Sequence, residues 1–165
     1  MTEDRGLGYE TREVKPTTRI TTIEVGDSHL APWLQLPEVG PEVSGIAQYQ
    51  TEFDLDEKLP ESRYVLDLGS TSGGLGSVVI NGSEPIGYDT SAPRVDVTDF
   101  VHEGTNSVTV RVGSSLNNRL LARGYYDVLI DISTMLNGKD IDTIRTEPHA
   151  HGLLGPVRLL AERVH

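Results

Sequence analysis

The chain has 165 residues, 25 acidic against 14 basic side chains, and a formal net charge of −11. That charge sets it against nonspecific binding to nucleic acid phosphates or anionic lipid. The absence of cysteine excludes a disulfide-stapled scaffold, and modest hydrophobic content with 17 glycines and 9 prolines fits a turn-rich β protein better than a helical bundle.

In chain order, residues 1–15 are polar and unpatterned, a loose leader ahead of a single β domain over 16–165. They hold neither a basic n-region nor an apolar h-region, so they do not form a signal peptide. No run approaches the roughly 18 apolar residues that span a bilayer as a helix. Arg19–Val25 is expected to form a polar edge strand. Asp27–Glu42 contains Pro32, Pro37 and Pro41, which forbid a regular ladder, so Trp33 sits in a loop. Gln48–Leu55 alternates with period two, placing Tyr49, Thr51, Phe53 and Leu55 on one face. Glu57–Ser62 is a charged connection.

The stretch from Tyr64 to Val112 organises the rest. Tyr64–Leu68, Ser77–Ile80 and Ser107–Val112 are short runs rich in β-branched residues. Asn81-Gly82 reads as a type I′ turn, because both central positions need φ > 0. Asn81-Gly82-Ser83 also fits a glycosylation sequon, but the turn accounts for it. Val95–Val101 alternates apolar with polar and leads into a second turn at Glu103–Asn106. The whole stretch predicts a meander of antiparallel strands.

Beyond it, Arg119–Arg123 is expected to begin a short helix that Gly124 stops. Tyr125–Ile132 reads as a strand with one wet face, Met135–Asp140 as a turn, Arg145–Gly152 as a loop or short strand, and Val157–Ala161 as the closing strand. The count of runs predicts an all-β, antiparallel two-sheet sandwich of about eight strands.

The order of Leu-Asp-Leu-Gly (66–69), Val-Ile-Asn-Gly (79–82), Gly87-Tyr88, Val-Asp-Val-Thr (95–98) and Gly-Thr-Asn-Ser-Val-Thr-Val-Arg-Val (104–112) resembles the galactose-binding-like jelly-roll domain of large glycoside hydrolases. The pattern is similar to the sugar-binding domain of family-2 glycosidases and related domains of α-L-rhamnosidases. Trp33, the run from Gly45 to Phe53, Leu116–Leu120 and Gly152–Leu159 extend the likeness over residues 30 to 161. The resemblance implies a noncatalytic module of a secreted, polysaccharide-degrading enzyme, cut from a longer chain with Met1 added as a start. Its partners would be a plant or microbial polysaccharide and a catalytic domain of the same parent. Rhamnosidase-type domains also carry an excursion between late strands, an alternative for Tyr125–Ile132. The opposing expectation is a purely structural sandwich that packs on the catalytic domain and binds no sugar.

Several residues are candidates for ligand contact. Asn117, Asn118 and Arg119 carry planar, multi-donor groups that match vicinal hydroxyls, although they serve equally as buried partners ordering the sandwich. Trp33, Tyr88, Tyr125 and Tyr126 are aromatics able to stack on a sugar face. The resemblance places Trp33 in the core, whereas Tyr88 and Tyr125 adjoin glycines in turns and are expected to be exposed. Glu147, His149 and His151 share a face on an extended backbone, so they could converge on a metal, or the histidines could bond a sugar hydroxyl. An enzyme acting through this histidine loop would need perturbed carboxylates beside it. No Gly-x-Ser-x-Gly elbow or His-Glu-x-x-His occurs. The acid excess, with the loops of this fold, suggests a structural Ca²⁺ held by oxygen ligands.

Overall fold

A computed structural model of the chain describes residues 20–72, 74–137 and 146–164. Within them the fold is an antiparallel β-sandwich, as expected, and it carries two short helices. One sheet holds four strands: β1 (Ile46–Leu55), β7 (Gly104–Gly113), β4 (Leu75–Ile80) and β5 (Ile86–Tyr88), in that spatial order. A three-stranded sheet places β2 (Ser62–Asp67) between β6 (Arg94–Asp96) and β9 (Arg158–Arg163). A two-stranded ribbon pairs β3 (Ser70–Ser72) with β8 (Gly152–Gly155). Helices α1 (Asn117–Ala122) and α2 (Tyr125–Asn137) lie between β7 and β8 in the chain.

Alternation along each strand builds the core. Tyr64, Leu66 and Leu68 face inward from the β2 side, and Val78, Ile80, Val108, Val110 and Val112 face them from β4 and β7. Register supports this, with Val78 opposite Val110 and Ile80 opposite Val108. Each such side chain removed from water contributes about 1.5–3 kcal/mol before the ordering cost. The Tyr64 hydroxyl is satisfied by the Leu59 N–H at 2.7 Å, so the ring is buried without orphaning a polar group.

The three central runs are strands, but they do not form a meander. β2 belongs to one sheet, whereas β4 and β7 are neighbours in the other. Between them the chain changes sheets at Gly69, where a side chain is sterically excluded: φ is +67° and an added Cβ would lie 2.6 Å from the Gly155 carbonyl carbon. The Asn81-Gly82 turn forms as read, with φ of 48° and 78°. Its Asn81 amide nitrogen donates to Phe100 O and Asn106 Oδ1, both at 2.8 Å, which occupies the atom a glycan would need.

Three other expectations change. Ile20–Val25 forms no strand, and Ile20 and Ile23 are 87% and 42% exposed. Its β-branched residues suit a sheet, yet none of the ladders among the described residues includes this segment. Tyr125–Ile132 is helical, continuing through Met135 to Asn137, so the expected turn at Met135 is the last turn of α2. Tyr126, Leu129, Ile130 and Ser133, spaced by three and four, form the buried face, which packs on α1, and this period prevails over the alternation read from the sequence. Helix α1 begins two residues before the expected start, and Gly124 ends it with φ of +66°. The leader, Arg19, Gly138–Asp140 and Arg145 lie outside the described residues.

Candidate functional site

The motif Asn117-Asn118 opens α1, and both side chains are buried. Asn118 forms a two-point clasp with the main chain of His149: its Nδ2 donates to His149 O at 2.8 Å and its Oδ1 accepts from His149 N at 2.8 Å. The side-chain amide thus replaces the strand backbone that a ladder would otherwise offer. Asn117 donates to Glu147 O at 3.0 Å and accepts from the Tyr126 hydroxyl at 3.2 Å and from the Thr146 hydroxyl. The segment 146–149 is therefore held in place by α1 without regular structure of its own.

His151 lies at the end of this segment and is 2% exposed. Its carbonyl accepts from the Trp33 backbone N–H at 2.9 Å, and its ring is tilted against the Trp33 indole with centroids 6.0 Å apart. Nε2 is 3.3 Å from Ser115 Oγ, and Nδ1 is buried with no hydrogen-bond partner among the described residues. The His149 ring stands edge-on at 5.5 Å. Below them the Tyr49 hydroxyl accepts from Trp33 Nε1 at 2.8 Å and from Leu153 N at 3.2 Å. The result is a buried polar knot joining the Trp33 turn, β1, β8 and the segment after β7.

The expected ligand residues separate into two groups. Asn117, Asn118 and His151 are internal, and the two asparagine amides bond the chain's own groups. Arg119, Tyr125 and His149 are exposed. Tyr126 is partly buried edge-to-face against Tyr125, centroids 5.8 Å apart. Tyr88 is not the exposed ring expected from its glycine neighbour. It lies flat over Gly76, where an added Cβ would fall 2.0 Å from its Cζ, and its hydroxyl donates to Arg111 O at 3.3 Å. Burial raises the pKa of that hydroxyl. Trp33 is core, as the resemblance implied.

Glu147, His149 and His151 do not assemble a metal site: among the described residues no three His, Asp or Glu side chains are placed to hold an ion. The two rings meet edge-on, His151 buried and His149 exposed. Carboxylates with displaced pKa values lie elsewhere. Asp89 is lowered by hydrogen bonds from Ser91, and Asp96 by hydrogen bonds from Thr98 with Arg63 adding to them. Neither belongs to the histidine loop. A small cleft of about 250 Å³ lies beside that loop, lined by Pro41, Asn118, Leu121, Ala122 and Pro148.

No family model matches the sequence. A putative β-glucuronidase of Formosa agariphila is 34% identical over 110 residues, which cover 64% of this chain and 9% of that protein. Among solved structures, a rhamnosidase from Novosphingobium sp. PP1Y superposes with a TM-score of 0.52 at 29% identity, covering 72% of this chain and 11% of the other. The chain is similar to one segment of glycoside hydrolases. It spans about a tenth of the length of these hydrolases.

Two structural residues of this hydrolase-like sandwich carry little signal in the sequence. Asn106 lies in the Gly-x-Asn stretch but looks like any turn asparagine, and only its full burial reveals its role. Tyr49 is legible as inward-facing, yet its hydroxyl's service to Trp33 and Leu153 depends on contacts distant in sequence.

The buried histidine predicts a pH effect. Burial, with the neighbouring His149 adding to it, lowers the His151 pKa below its ordinary 6.5. A group that is neutral when folded and protonates more readily when unfolded stabilises the fold above the unfolded pKa. That contribution is lost as pH falls below 6.5 towards the lowered folded value. Asp96 works in a separate window, because its lowered pKa costs stability only near and below 3.8. Thermal melts should therefore show Tm declining as pH falls from neutral through about 5, and His151→Gln should flatten this slope. Parallel slopes in both proteins would assign the decline to other groups.

Proposed function

We propose that the chain is a noncatalytic accessory domain, of the galactose-binding-like jelly-roll type, in a polysaccharide-degrading glycoside hydrolase of the rhamnosidase kind. The observation that carries this reading is the superposition of 72% of the chain on 11% of a rhamnosidase. The inward orientation of Asn117 and Asn118 supports a domain whose polar motif orders its own loops. Tyr88 buttresses a sheet, which removes the aromatic platform that a sugar would need beside those amides. In this reading the parent is secreted, acts on a plant or microbial polysaccharide, and supplies the catalytic domain that the sandwich flanks.

Direct sugar contact is a second reading, favoured by the cleft beside Pro148 with Arg119 and His149 exposed near it. Apolar walls there would take the C–H face of a pyranose, while Arg119 and His149 would reach hydroxyls. One set of assays on the purified chain tests both readings. Aryl α-L-rhamnosides and aryl β-glucuronides should release no chromophore. Release that disappears on substitution of a single acid would make the chain an enzyme and end the proposal. Calorimetric binding of a rhamnose-containing oligosaccharide, lost in Arg119→Ala, would establish the second reading, whereas binding that survives that change would place the sugar elsewhere.

A further inference from the structure

Helix α2 carries two apolar faces and packs only one of them against the rest of the domain, chiefly on α1. Ile130 is buried, and Tyr126, Leu129 and Ser133 are partly covered. On the adjoining face Tyr125, Val128, Ile132, Met135 and Leu136 are 48%, 56%, 45%, 78% and 71% exposed. Single exposed apolar residues need no explanation, but five along one stripe of a 13-residue helix do. At 3.6 residues per turn they fall within an arc of about 100°. Their order is also specific. Tyr125, Val128, Ile132 and Met135 recur at the alternating three- and four-residue steps of a heptad seam, with Leu136 beside it. A seam of that width matches another helix.

Two facts decide which helix. Asp131 is exposed along one flank of the seam, and the chain as a whole carries −11. A second copy would bring the same flank and the same net charge, so self-pairing works against electrostatic repulsion. The seam is also short: 13 residues give a helix of about 20 Å. Two heptads bury less than the roughly 1,000 Å² expected of a free, specific interface. A covalent tether changes this, because it replaces bulk concentration with an effective concentration near the millimolar range. The hydrolases that resemble this chain hold about nine-tenths of their length outside the matching segment, which supplies a tethered partner.

We propose that the exposed stripe of α2 is a docking seam for an amphipathic helix of the adjoining domain in the same polypeptide. That helix presents its own apolar seam, with lysine or arginine facing Asp131. The proposal rests on the accessory-domain reading above and adds the surface and the chemistry of its partner.

The test compares wild type with Ile132→Glu/Met135→Glu, in the 165-residue chain and in the hydrolase polypeptide that carries it. In the isolated chain the double variant should keep the circular dichroism spectrum and Tm of wild type. Its binding of an apolar dye such as anilinonaphthalene sulfonate should fall by about twofold or more. Both should sediment as monomers at micromolar concentration. In the whole hydrolase, calorimetry should show the wild-type sandwich melting several degrees higher than it does alone. The double variant should lose that increment, and Asp131→Lys should lose part of it in a salt-dependent way. A wild-type dimer dissolved by the double substitution would put a second copy on the seam and overturn the proposal. A large loss of Tm in the isolated variant would show that the chain covers its own stripe, with the same consequence. An equal increment for both hydrolases would place the contact on another surface. Sugar release by the isolated chain would instead refute the accessory reading, whatever the stripe does.

Discussion

Replacing Asn106 by leucine should lower the melting temperature of the sandwich by about 10 °C or more, a larger effect than loss of the Asn118 clasp should have. Asn106 has no exposed surface, and every polar atom of its side chain is engaged. Nδ2 donates to His102 O at 2.7 Å and Gly104 O at 2.9 Å, while Oδ1 accepts from His102 N at 3.0 Å and Asn81 Nδ2 at 2.8 Å. Asn81 in turn accepts from Ser107 N at 2.8 Å. One side chain thus locks the turn before β7 to the turn after β4. Leucine has a similar volume and adds apolar burial, but it strands two carbonyls and an N–H, and leaves the Asn81 amide with Phe100 O alone. Each buried orphan costs about 1–3 kcal/mol, so a total of about 3–5 kcal/mol is expected after partial access of water. For a domain of this size that corresponds to roughly 2–4 °C per kcal/mol. Scanning calorimetry of the variant measures it, and a shift below about 3 °C would mean that the network contributes little.

Asn118→Ala comes second. It removes both arms of the clasp on His149, each worth about 1 kcal/mol net, and leaves the amide of that residue without a partner, while its carbonyl still accepts from His151 N at 2.9 Å. A loss of about 2–3 kcal/mol is expected, with Tm lower by about 5–10 °C. The damage should be local first: hydrogen exchange at the His149 amide should accelerate before the sheets open. Arg119→Ala, one residue along, should leave Tm within about 1 °C because that side chain is exposed. If both variants melt alike, the asparagine is not a brace. The pair also separates structural from ligand-contact roles within a single motif.

These asparagines show what can be read from the chain and what cannot. Strands are legible because β-branched runs and the Asn81-Gly82 turn are local signals, and Val78, Val110 and their neighbours carry the inward period in their own sequence. Which sheet each strand joins is not, because β2 pairs with β6 and β9 across long stretches of chain. The helix over Tyr125–Asn137 reads as a strand because an eight-residue window of Tyr, Val, Leu and Ile with two acids satisfies a period of two and a period of 3.6 alike. Asn117 and Asn118 stand out in the sequence as special, yet an amide that can embrace vicinal hydroxyls can embrace a peptide group equally well. Only the path of 146–149 decides between them. Tyr88 misleads for a related reason: Gly87 lies next to it in sequence, whereas Gly76, which makes room for its ring, lies across the sheet.

The register of the three-stranded sheet has a consequence for synthesis on the ribosome. Ser62 is opposite Arg163 and Asp67 opposite Arg158, so β2 lacks one neighbour until nearly the last residue described has been made. At ordinary elongation rates the interval between these strands is on the order of ten seconds. Throughout it, the edge of β2 that β9 will cover remains an open row of amides and carbonyls, the geometry that recruits foreign strands. Arg63 and Asp67 place charged side chains along β2 there, a feature that blunts an exposed strand edge. The same residues form ion pairs with Asp96 and Arg94 of β6, the neighbour of β2 that is made before β9.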